Sequence, residues 1–428
     1  MKKIITLLCF FAGSLTVSAQ QTSGCATMEV YQQHRQDPAV AAQMDLAQSS
    51  ARAWLSSHQG QITNRGGGPV ITVPVVVHVV YITAAQNISD QQIYSQIAVL
   101  NNDYRRLNAD TINTPTIFDS LAADVGIEFC LASIDPNGNP TNGITRTSSS
   151  GGTFGAFFNP ITEDVKSSAT GGIDPWPADQ YLNIWVCNLF TGLLGYAQFP
   201  GDAPATDGVV ITTNAFGTTG TVTPPFSLGR TTTHECGHWF GLYHIWGDDS
   251  DCVTGTDSIP DTPNAAGSSP SDCDPTRNSC SNEDPFWGVV DPPDMVQNYM
   301  DYSSDSCMNL FTLGQKARMM SFLFSDPARL ALFNSPGGCN PLGTQEFGFD
   351  RYFNVYPNPA NGQVMISYFG KWDASMTVEI LDVTGKTVLS QQVSQYNYTV
   401  DISDLAAGVY TMRFSGKDGV AARKIVKQ

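Results

Sequence analysis

The sequence is poor in basic residues, with 22 lysines and arginines against 39 aspartates and glutamates and a formal net charge of -17. Nucleic acids and anionic membrane surfaces bind clustered lysine and arginine, so this charge argues against both as partners. The mature sequence also lacks an apolar run long enough to span a membrane. A short apolar run at residues 4–13 follows Lys2 and Lys3 and precedes Val17-Ser18-Ala19. This pattern is typical of a signal peptide at residues 1–19, so we expect an exported protein.

The chain lacks internal repeats, and its 428 residues predict two or three folded units. Residues 20–65 are polar and are followed by a glycine-rich run at 66–68, as expected of a prosegment that is cleaved in an exposed linker. Residues 66–340 predict an α/β (α+β) domain with a mixed sheet. Residues 345–428 predict a small all-β sandwich, because short alternating stretches are separated by turns at Asn361-Gly362 and Thr384-Gly385-Lys386.

The secondary structure of the central domain follows from its apolar patterns. The run Ile71–Tyr81 is almost entirely β-branched, which suits a buried strand. Residues 90–107 carry apolar side chains at helical spacing. We expect the remaining elements to be strands at 126–133, 180–189 and 208–213 and helices at 230–243 and 313–324.

The helix predicted at 230–243 carries the motif H-E-x-x-H-x-x-G-x-x-H. His234 and His238 are four residues apart, so their imidazoles project from one helix face, and Gly241 lets the chain turn to bring in His244. Three imidazoles leave a zinc ion one open position for water, whose pKa falls to about 7. Glu235 would lie beside that water as a general base. The pattern therefore predicts a hydrolytic zinc site, since closed structural sites use four protein ligands.

The stretch Asn298-Tyr299-Met300-Asp301-Tyr302 resembles the Met-turn of the metzincin metalloproteases. The resemblance implies that Met300 packs beneath the metal without binding it. It also implies that the Tyr302 hydroxyl stabilises the oxyanion of the tetrahedral intermediate. The alternative is that both are ordinary core residues of a loop.

Residues 244–248 and 256–263 resemble the pappalysin family of metzincins, and the likeness covers roughly residues 71–333. It implies a secreted zinc endopeptidase acting on proteins or peptides. Acidic residues crowd between 248 and 305, either as a solvated surface or as calcium ligands. The resemblance implies that calcium is bound by the Asp257 carboxylate, the Pro260 carbonyl and Thr262.

Four of the ten cysteines lie together in this acidic stretch, and four cysteines allow three pairings. The resemblance implies two of these bonds, Cys252 with Cys280 and Cys273 with Cys307. Cys25 resembles the prosegment cysteine that blocks zinc in latent family members; the alternative is a spare or disulfide cysteine. Asp305 would place a carboxylate in the pocket for the residue after the scissile bond and favour a basic residue there, unless it is a surface aspartate.

The C-terminal segment resembles the type IX secretion sorting domain, which implies the type IX secretion machinery as a partner. The alternative for this segment is a carbohydrate- or protein-binding β-module. For the whole chain, two other functions remain open. One is a catalytically silent surface adhesin that keeps its metal site, and the other is a zinc hydrolase of small molecules.

Overall fold

The structure is a computed structural model that describes residues 24–58, 70–155, 161–248, 252, 256–269, 272–280, 286–287, 292–335, 337–338, 353–368, 376–393, 397–416 and 419–428. The predicted signal peptide at residues 1–19 lies outside this part of the chain. None of the helices within it is long and apolar enough to cross a membrane.

A mixed six-stranded sheet forms the centre of the α/β unit. Its strand order is β2-β1-β4-β6-β5, and β3 pairs with β1 further along the edge that holds β2. All pairings are parallel except that of β5, which runs antiparallel to β6. The strands are β1 (Ile71–Tyr81), β2 (Ile127–Leu131), β3 (Ile144–Ser148), β4 (Leu182–Cys187), β5 (Gly195–Ala197) and β6 (Val209–Thr212). The predicted mixed sheet is confirmed.

Seven α-helices accompany the sheet in the described part of the chain. They are α1 (Thr27–His34), α2 (Pro38–Ser57), α3 (Asp90–Tyr104), α4 (Thr116–Asp119), α5 (Arg230–Trp239), α6 (Leu313–Ser325) and α7 (Pro327–Ala331). The prediction for α3 was three residues too long. Arg106 has φ +50° and the Leu107 amide donates to the Asn102 carbonyl, so the chain leaves the helix before Leu107.

Both faces of the central sheet are buried, which explains the continuous β-branched run of β1. Val75 and Val77 lie in the core that also contains Trp239 and Phe240 from the end of α5. The opposite face packs in a second cluster that includes Val30 of α1. Residues 24–58 are therefore packed onto the central domain.

The C-terminal residues form two antiparallel sheets, in the orders β10-β9-β12-β13 and β11-β8-β7. Their side chains share a separate apolar core. The predicted all-β sandwich is confirmed. Its strands are β7 (Phe353–Tyr356), β8 (Gln363–Tyr368), β9 (Thr377–Leu381), β10 (Thr387–Gln392), β11 (Asn397–Asp401), β12 (Gly408–Gly416) and β13 (Gly419–Lys427).

Disulfides cross-link the irregular segment between α5 and α6. Cys252 is bonded to Cys280 and Cys273 to Cys307, with Cα atoms 5.6 and 5.2 Å apart. These are the two pairs that the family resemblance implies. Cys130 is also in a disulfide, whereas Cys25, Cys187 and Cys236 are free and buried.

Candidate active site

The helix α5 positions the motif, and both of its ends are defined by specific contacts. At its start, Asp305 Oδ2 accepts hydrogen bonds from the Leu228 and Arg230 amides at 2.7 and 3.4 Å. The helix ends at Trp239, four residues earlier than predicted, because Gly241 adopts φ +93°. A β-carbon on Gly241 would lie 2.2 Å from the ring of Phe322. Only glycine fits here, and the turn that it permits brings the third histidine to the helix.

Three imidazoles converge in the buried space beside α5. His234 Nδ1 lies 2.7 Å from the Tyr299 carbonyl and His238 Nδ1 lies 2.7 Å from the Leu242 carbonyl. Because a carbonyl only accepts, each Nδ1 carries the proton and each Nε2 keeps a free lone pair. His244 Nδ1 lies 2.6 Å from Asp248 Oδ1, which orients the third ring in the same way.

The donor set fits a zinc ion. The three Nε2 atoms of His234, His238 and His244 are 3.1–3.3 Å apart, close to the about 3.3 Å expected of nitrogens bound at 2.0–2.1 Å to a tetrahedral zinc. Burial lowers the pKa of His234 to about 3 and that of His238 well below its usual value, so both rings are neutral. Three lone pairs at this distance repel one another unless a cation lies between them.

Cys25 completes a four-membered cluster with these histidines. Its Sγ and the three Nε2 atoms all lie within 4.8 Å of one another, and all four residues are buried. Burial and the charge of Glu235 raise the pKa of the Cys25 thiol well above its usual range. A zinc ion would reverse this preference, because a coordinating thiol is deprotonated. The geometry is compatible with cysteine as the fourth ligand.

Met300 packs on α5, and Tyr302 packs on the ring of His244. Met300 is fully buried, and its Sδ would be 2.4 Å from a β-carbon on Gly237, so the methionine packs directly on α5. The Tyr302 ring centroid is 4.8 Å from that of His244. The Tyr302 hydroxyl donates to the Cys25 carbonyl oxygen at 3.2 Å.

Glu235 lies on the cleft side of α5 and is completely buried. Its Oε2 accepts hydrogen bonds from the Thr27 hydroxyl at 2.8 Å and from the Cys25 thiol at 3.5 Å. Its Oε1 has no hydrogen-bond partner among the described residues. Burial raises the pKa of Glu235 to about 8, although the bonds from Thr27 and Cys25 oppose this.

Residues 24–27 run along the edge strand β5 and cover the cleft. The amides of Leu194 and Gly195 donate to the Gly24 carbonyl at 2.7 and 3.2 Å, and the Ala26 amide donates to the Gly195 carbonyl at 3.1 Å. Cys25 and Gly195 form a parallel bridge. The segment thus extends the sheet by β-augmentation, the mode by which extended peptides bind to exposed sheet edges.

A cavity of about 340 Å³ opens beside Glu235 and His234. Two aspartates, Asp301 and Asp305, lie in its wall together with Arg230. Asp305 is only 1% exposed, so it is not a surface residue. Burial raises the pKa of Asp305 to about 6, although the hydrogen bonds from the α5 amides oppose this. The wall of the cavity thus contains two buried aspartates and one arginine.

The residues suggested as calcium ligands lie in one loop. Asp257 Oδ2 accepts from the Thr262 hydroxyl at 2.9 Å, and Asp257 Oδ1 accepts from the Ile259 amide at 2.9 Å. Burial raises the pKa of Asp257 to about 8. Pro260 lies between them and is exposed. The structure therefore brings two of the three residues together and shows no direct contact for the third.

Several contributors to the site were missed by the sequence reasoning. Thr27 bonds to Glu235 and Asp248 bonds to His244, as described above, but the sequence reasoning gave neither residue a role. The Arg329 guanidinium pairs with Asp207 at 2.7 and 2.8 Å and stacks 3.6 Å over Trp239, behind α5. Two signals were available, because Thr27 lies two residues after Cys25 and Asp248 ends the stretch 244–248 that carries the family resemblance.

Comparisons with known proteins agree with this geometry. Residues 167–324 match the family model described as pregnancy-associated plasma protein-A. An extracellular metalloprotease of Colletotrichum graminicola is 32% identical over 341 residues, covering 75% of this chain and 98% of that protein. The chain belongs to the pappalysin family of metalloproteases. It is a zinc metalloendopeptidase.

Two solved structures of relatives are similar to this pappalysin. Mature mirolysin of Tannerella forsythia in complex with a cleaved peptide is 51% identical, with TM-score 0.56, covering 62% of this chain and 96% of that one. A promirolysin mutant of the same organism is 44% identical, with TM-score 0.61, covering 74% and 99%. Residues 354–428 match the secretion system C-terminal sorting domain. The pappalysin is therefore exported by type IX secretion and acts outside the cell.

Proposed function

We propose that this pappalysin is made as a latent endopeptidase in which Glu235 is the general base and residues 24–27 block the cleft. The observation that carries the proposal is the cluster of Cys25 Sγ with the Nε2 atoms of His234, His238 and His244. Zinc bound there supplies a Lewis acid that polarises the scissile carbonyl and acidifies water. Cys25 occupies the position that this water needs.

In the processed enzyme, Glu235 takes the proton from the attacking water. It then returns that proton to the leaving amine. Tyr302 lies against the ring of His244, where its hydroxyl donates to the developing oxyanion. The Tyr302 hydroxyl donates to a prosegment carbonyl in this structure, which is the same type of bond.

The decisive experiment is a Glu235→Ala substitution. It removes the base but leaves all three histidines in place, so zinc content should stay at one ion per chain while cleavage of a denatured protein falls by about 10²–10⁴-fold. A silent adhesin would show no cleavage before the substitution. A hydrolase of small molecules would turn over simple amides or esters but not long chains.

Latency by Cys25 is tested with the unprocessed chain. A Cys25→Ala proprotein should show activity before processing or mature faster than the wild type. Cys236→Ala is a matched control, because Cys236 is also free and buried but is not part of the cluster. Equal latency of the Cys25 variant and the wild type would refute the role of the thiol.

The proposal that calcium stabilises the enzyme rests on the loop from Asp257 to Thr262. Two buried oxygens already lie 2.9 Å apart, and calcium prefers such oxygen ligands. Calcium should raise the unfolding temperature of the wild type but not of Asp257→Asn. An equal rise in both proteins, or none in either, would contradict this site.

A preference for a basic residue after the scissile bond rests on the acidic wall of the cavity. Arg230 lies in the same wall, but it is paired with Asp103 at 3.1 Å and Asp110 at 3.2 Å. The Arg230 charge is therefore compensated by these two carboxylates, and Asp301 and Asp305 leave the cavity wall acidic toward a substrate cation. Cleavage-site profiling on a peptide library should show arginine or lysine at that position, and Asp305→Asn should weaken the preference.

The domain boundaries complete the proposal. They assign residues 1–19 to a signal peptide, 20–65 to the prosegment, 66–340 to the catalytic domain and 345–428 to the sorting domain. The sorting domain would be recognised by the type IX secretion machinery. N-terminal sequencing and intact mass of the secreted protein would test these boundaries.

A further inference from the structure

Thr27 makes two hydrogen bonds in the cleft that do not involve the cysteine side chain. Its hydroxyl donates to Glu235 Oε2 at 2.8 Å and accepts from the Ala197 amide of β5 at 2.8 Å. The residue is 0% exposed. The hydroxyl is therefore fixed between the carboxylate and the edge strand, with both a donor and an acceptor role satisfied.

The bond from Thr27 to Glu235 resembles one of the two contacts that the catalytic water makes. The water must be held by the metal and must donate a hydrogen bond to the base. Cys25 Sγ lies in the cluster with the histidine nitrogens, whereas its bond to Glu235 is long, at 3.5 Å. The short bond to the base is made by Thr27. In the prosegment the two contacts of the water are therefore divided between two side chains: Cys25 Sγ lies at the metal site, and the Thr27 hydroxyl bonds to the base.

We propose that Thr27 is a second latency residue that occupies the general base while Cys25 blocks the metal. This inference rests on the proposed function, since it takes Glu235 as the base. It gives each of the two residues its own target in the cleft. Oε2 is the oxygen of Glu235 that faces the Cys25 thiol, so a water that entered in place of a displaced thiol would find that oxygen already bonded to the threonine hydroxyl.

The position offers variants that separate packing from hydrogen bonding, and the zinc-loss rate measured below separates the bond to Glu235 from a general loosening at Ala197. Valine has the shape of threonine without the hydroxyl, so Thr27→Val leaves the packing in place but removes the bond to Glu235 and leaves the Ala197 amide without its acceptor. Thr27→Ser keeps the hydroxyl and loses a methyl group. A simple packing role would make serine the more damaging change, whereas a role in bonding the base makes valine the more damaging.

The experiment compares the full-length wild type with Thr27→Val, Thr27→Ser and Cys25→Ala. One measurement is the half-time of conversion to the mature form, and the other is the rate at which unprocessed chains lose zinc to a chelator. Removing one partner of a buried hydrogen bond has an effect of about tenfold. We therefore expect Thr27→Val to mature about tenfold faster with zinc loss within twofold of wild type. Thr27→Ser should resemble the wild type, and Cys25→Ala should accelerate both rates.

Three results would overturn the inference. Thr27→Val could mature at the wild-type rate, Thr27→Ser could equal Thr27→Val, or Thr27→Val could lose zinc as fast as Cys25→Ala, which would indicate a prosegment loosened as a whole. All variants yield the same mature chain if cleavage removes residues 20–65, so the mature enzymes should have equal kcat/KM. Absence of activity in mature wild type would instead refute the proposed function.

Discussion

His34 offers a test of how the prosegment is held on the catalytic domain. The residue ends α1, and its two ring nitrogens bond to carboxylates of the catalytic domain, Nδ1 to Asp202 at 2.6 Å and Nε2 to Glu163 at 2.8 Å. Lys166 also pairs with Glu163. Two carboxylates on one imidazole require the protonated, positively charged ring.

The free energy of this contact follows from the pKa of His34. Burial lowers that pKa, but the bonds to Asp202 and Glu163 outweigh burial and raise it from 6.5 to about 9. A tenfold change in proton affinity corresponds to about 1.4 kcal/mol, so the charged ring contributes about 3 kcal/mol to docking. Because the docked pKa is the higher one, this contribution is complete below pH 6.5 and is lost as pH rises through 9. About 2 kcal/mol remains at pH 7.5.

The assay is native-state proteolysis of the α1–α2 segment in a Glu235→Ala background, which prevents self-processing. An added protease cuts the undocked segment, and each rate is divided by that for the unfolded chain at the same pH. Adding His34→Gln should increase the corrected rate about 100-fold at pH 6.5, and the difference should shrink to less than about twofold at pH 9.5. Without this substitution the corrected rate should rise steadily between these pH values.

The control for this test is Arg35→Gln. Arg35 pairs with Asp45, another residue of the same segment, at 2.8 Å on the surface. Its loss should change the corrected rate by less than about twofold, since exposed ion pairs stabilise by 1 kcal/mol or less. A flat pH profile with His34 present, or equal effects of the two substitutions, would refute the argument.

Two further predictions concern the support of α5. Arg329→Met leaves the buried Asp207 carboxylate unpaired and should lower the unfolding free energy of the enzyme by about 3–5 kcal/mol in a urea titration, with partial recovery when Asp207→Asn is added. Unchanged stability would contradict it. Gly241→Ala combines φ +93° with a contact to the Phe322 ring and should lower stability by at least about 2 kcal/mol and weaken zinc binding in a chelator competition. Gly267→Ala, with open space around it, is the control and should change neither by much.

The sheet shows which strands a sequence can predict. β1 has the predicted bounds, Ile71–Tyr81, because burial on both faces selects β-branched residues at nearly every position. β3 is only half-buried and all of its residues except Ile144 are polar, so it shows no such pattern. β5 consists of Gly195, Tyr196 and Ala197 and is too short to show a period. It is nevertheless the strand that binds residues 24–27.

The active site was predictable where its contacts are local in the chain. His234 and His238 are one helical turn apart, and the glycine between them and His244 indicates where the helix ends. The contact of Thr27 with Glu235 spans 208 residues, and the ion pair of Asp207 and Arg329 spans 122. Such pairs are brought together by the topology of the whole domain, and a helical or strand period contains no information about them.

The contacts of the prosegment are individually modest, and this explains how it can be both secure and removable. Cys25 and Thr27 bond within the cleft, His34 bonds at the end of α1, and α2 packs on α6, where Arg318 donates to Gln48 at 3.0 Å. While the chain is intact, loss of one contact leaves the others to hold the segment at a high effective concentration. On the proposed function, a cut between α2 and β1 would abolish that advantage. The freed segment would then dissociate by dilution, without any single strong contact to overcome.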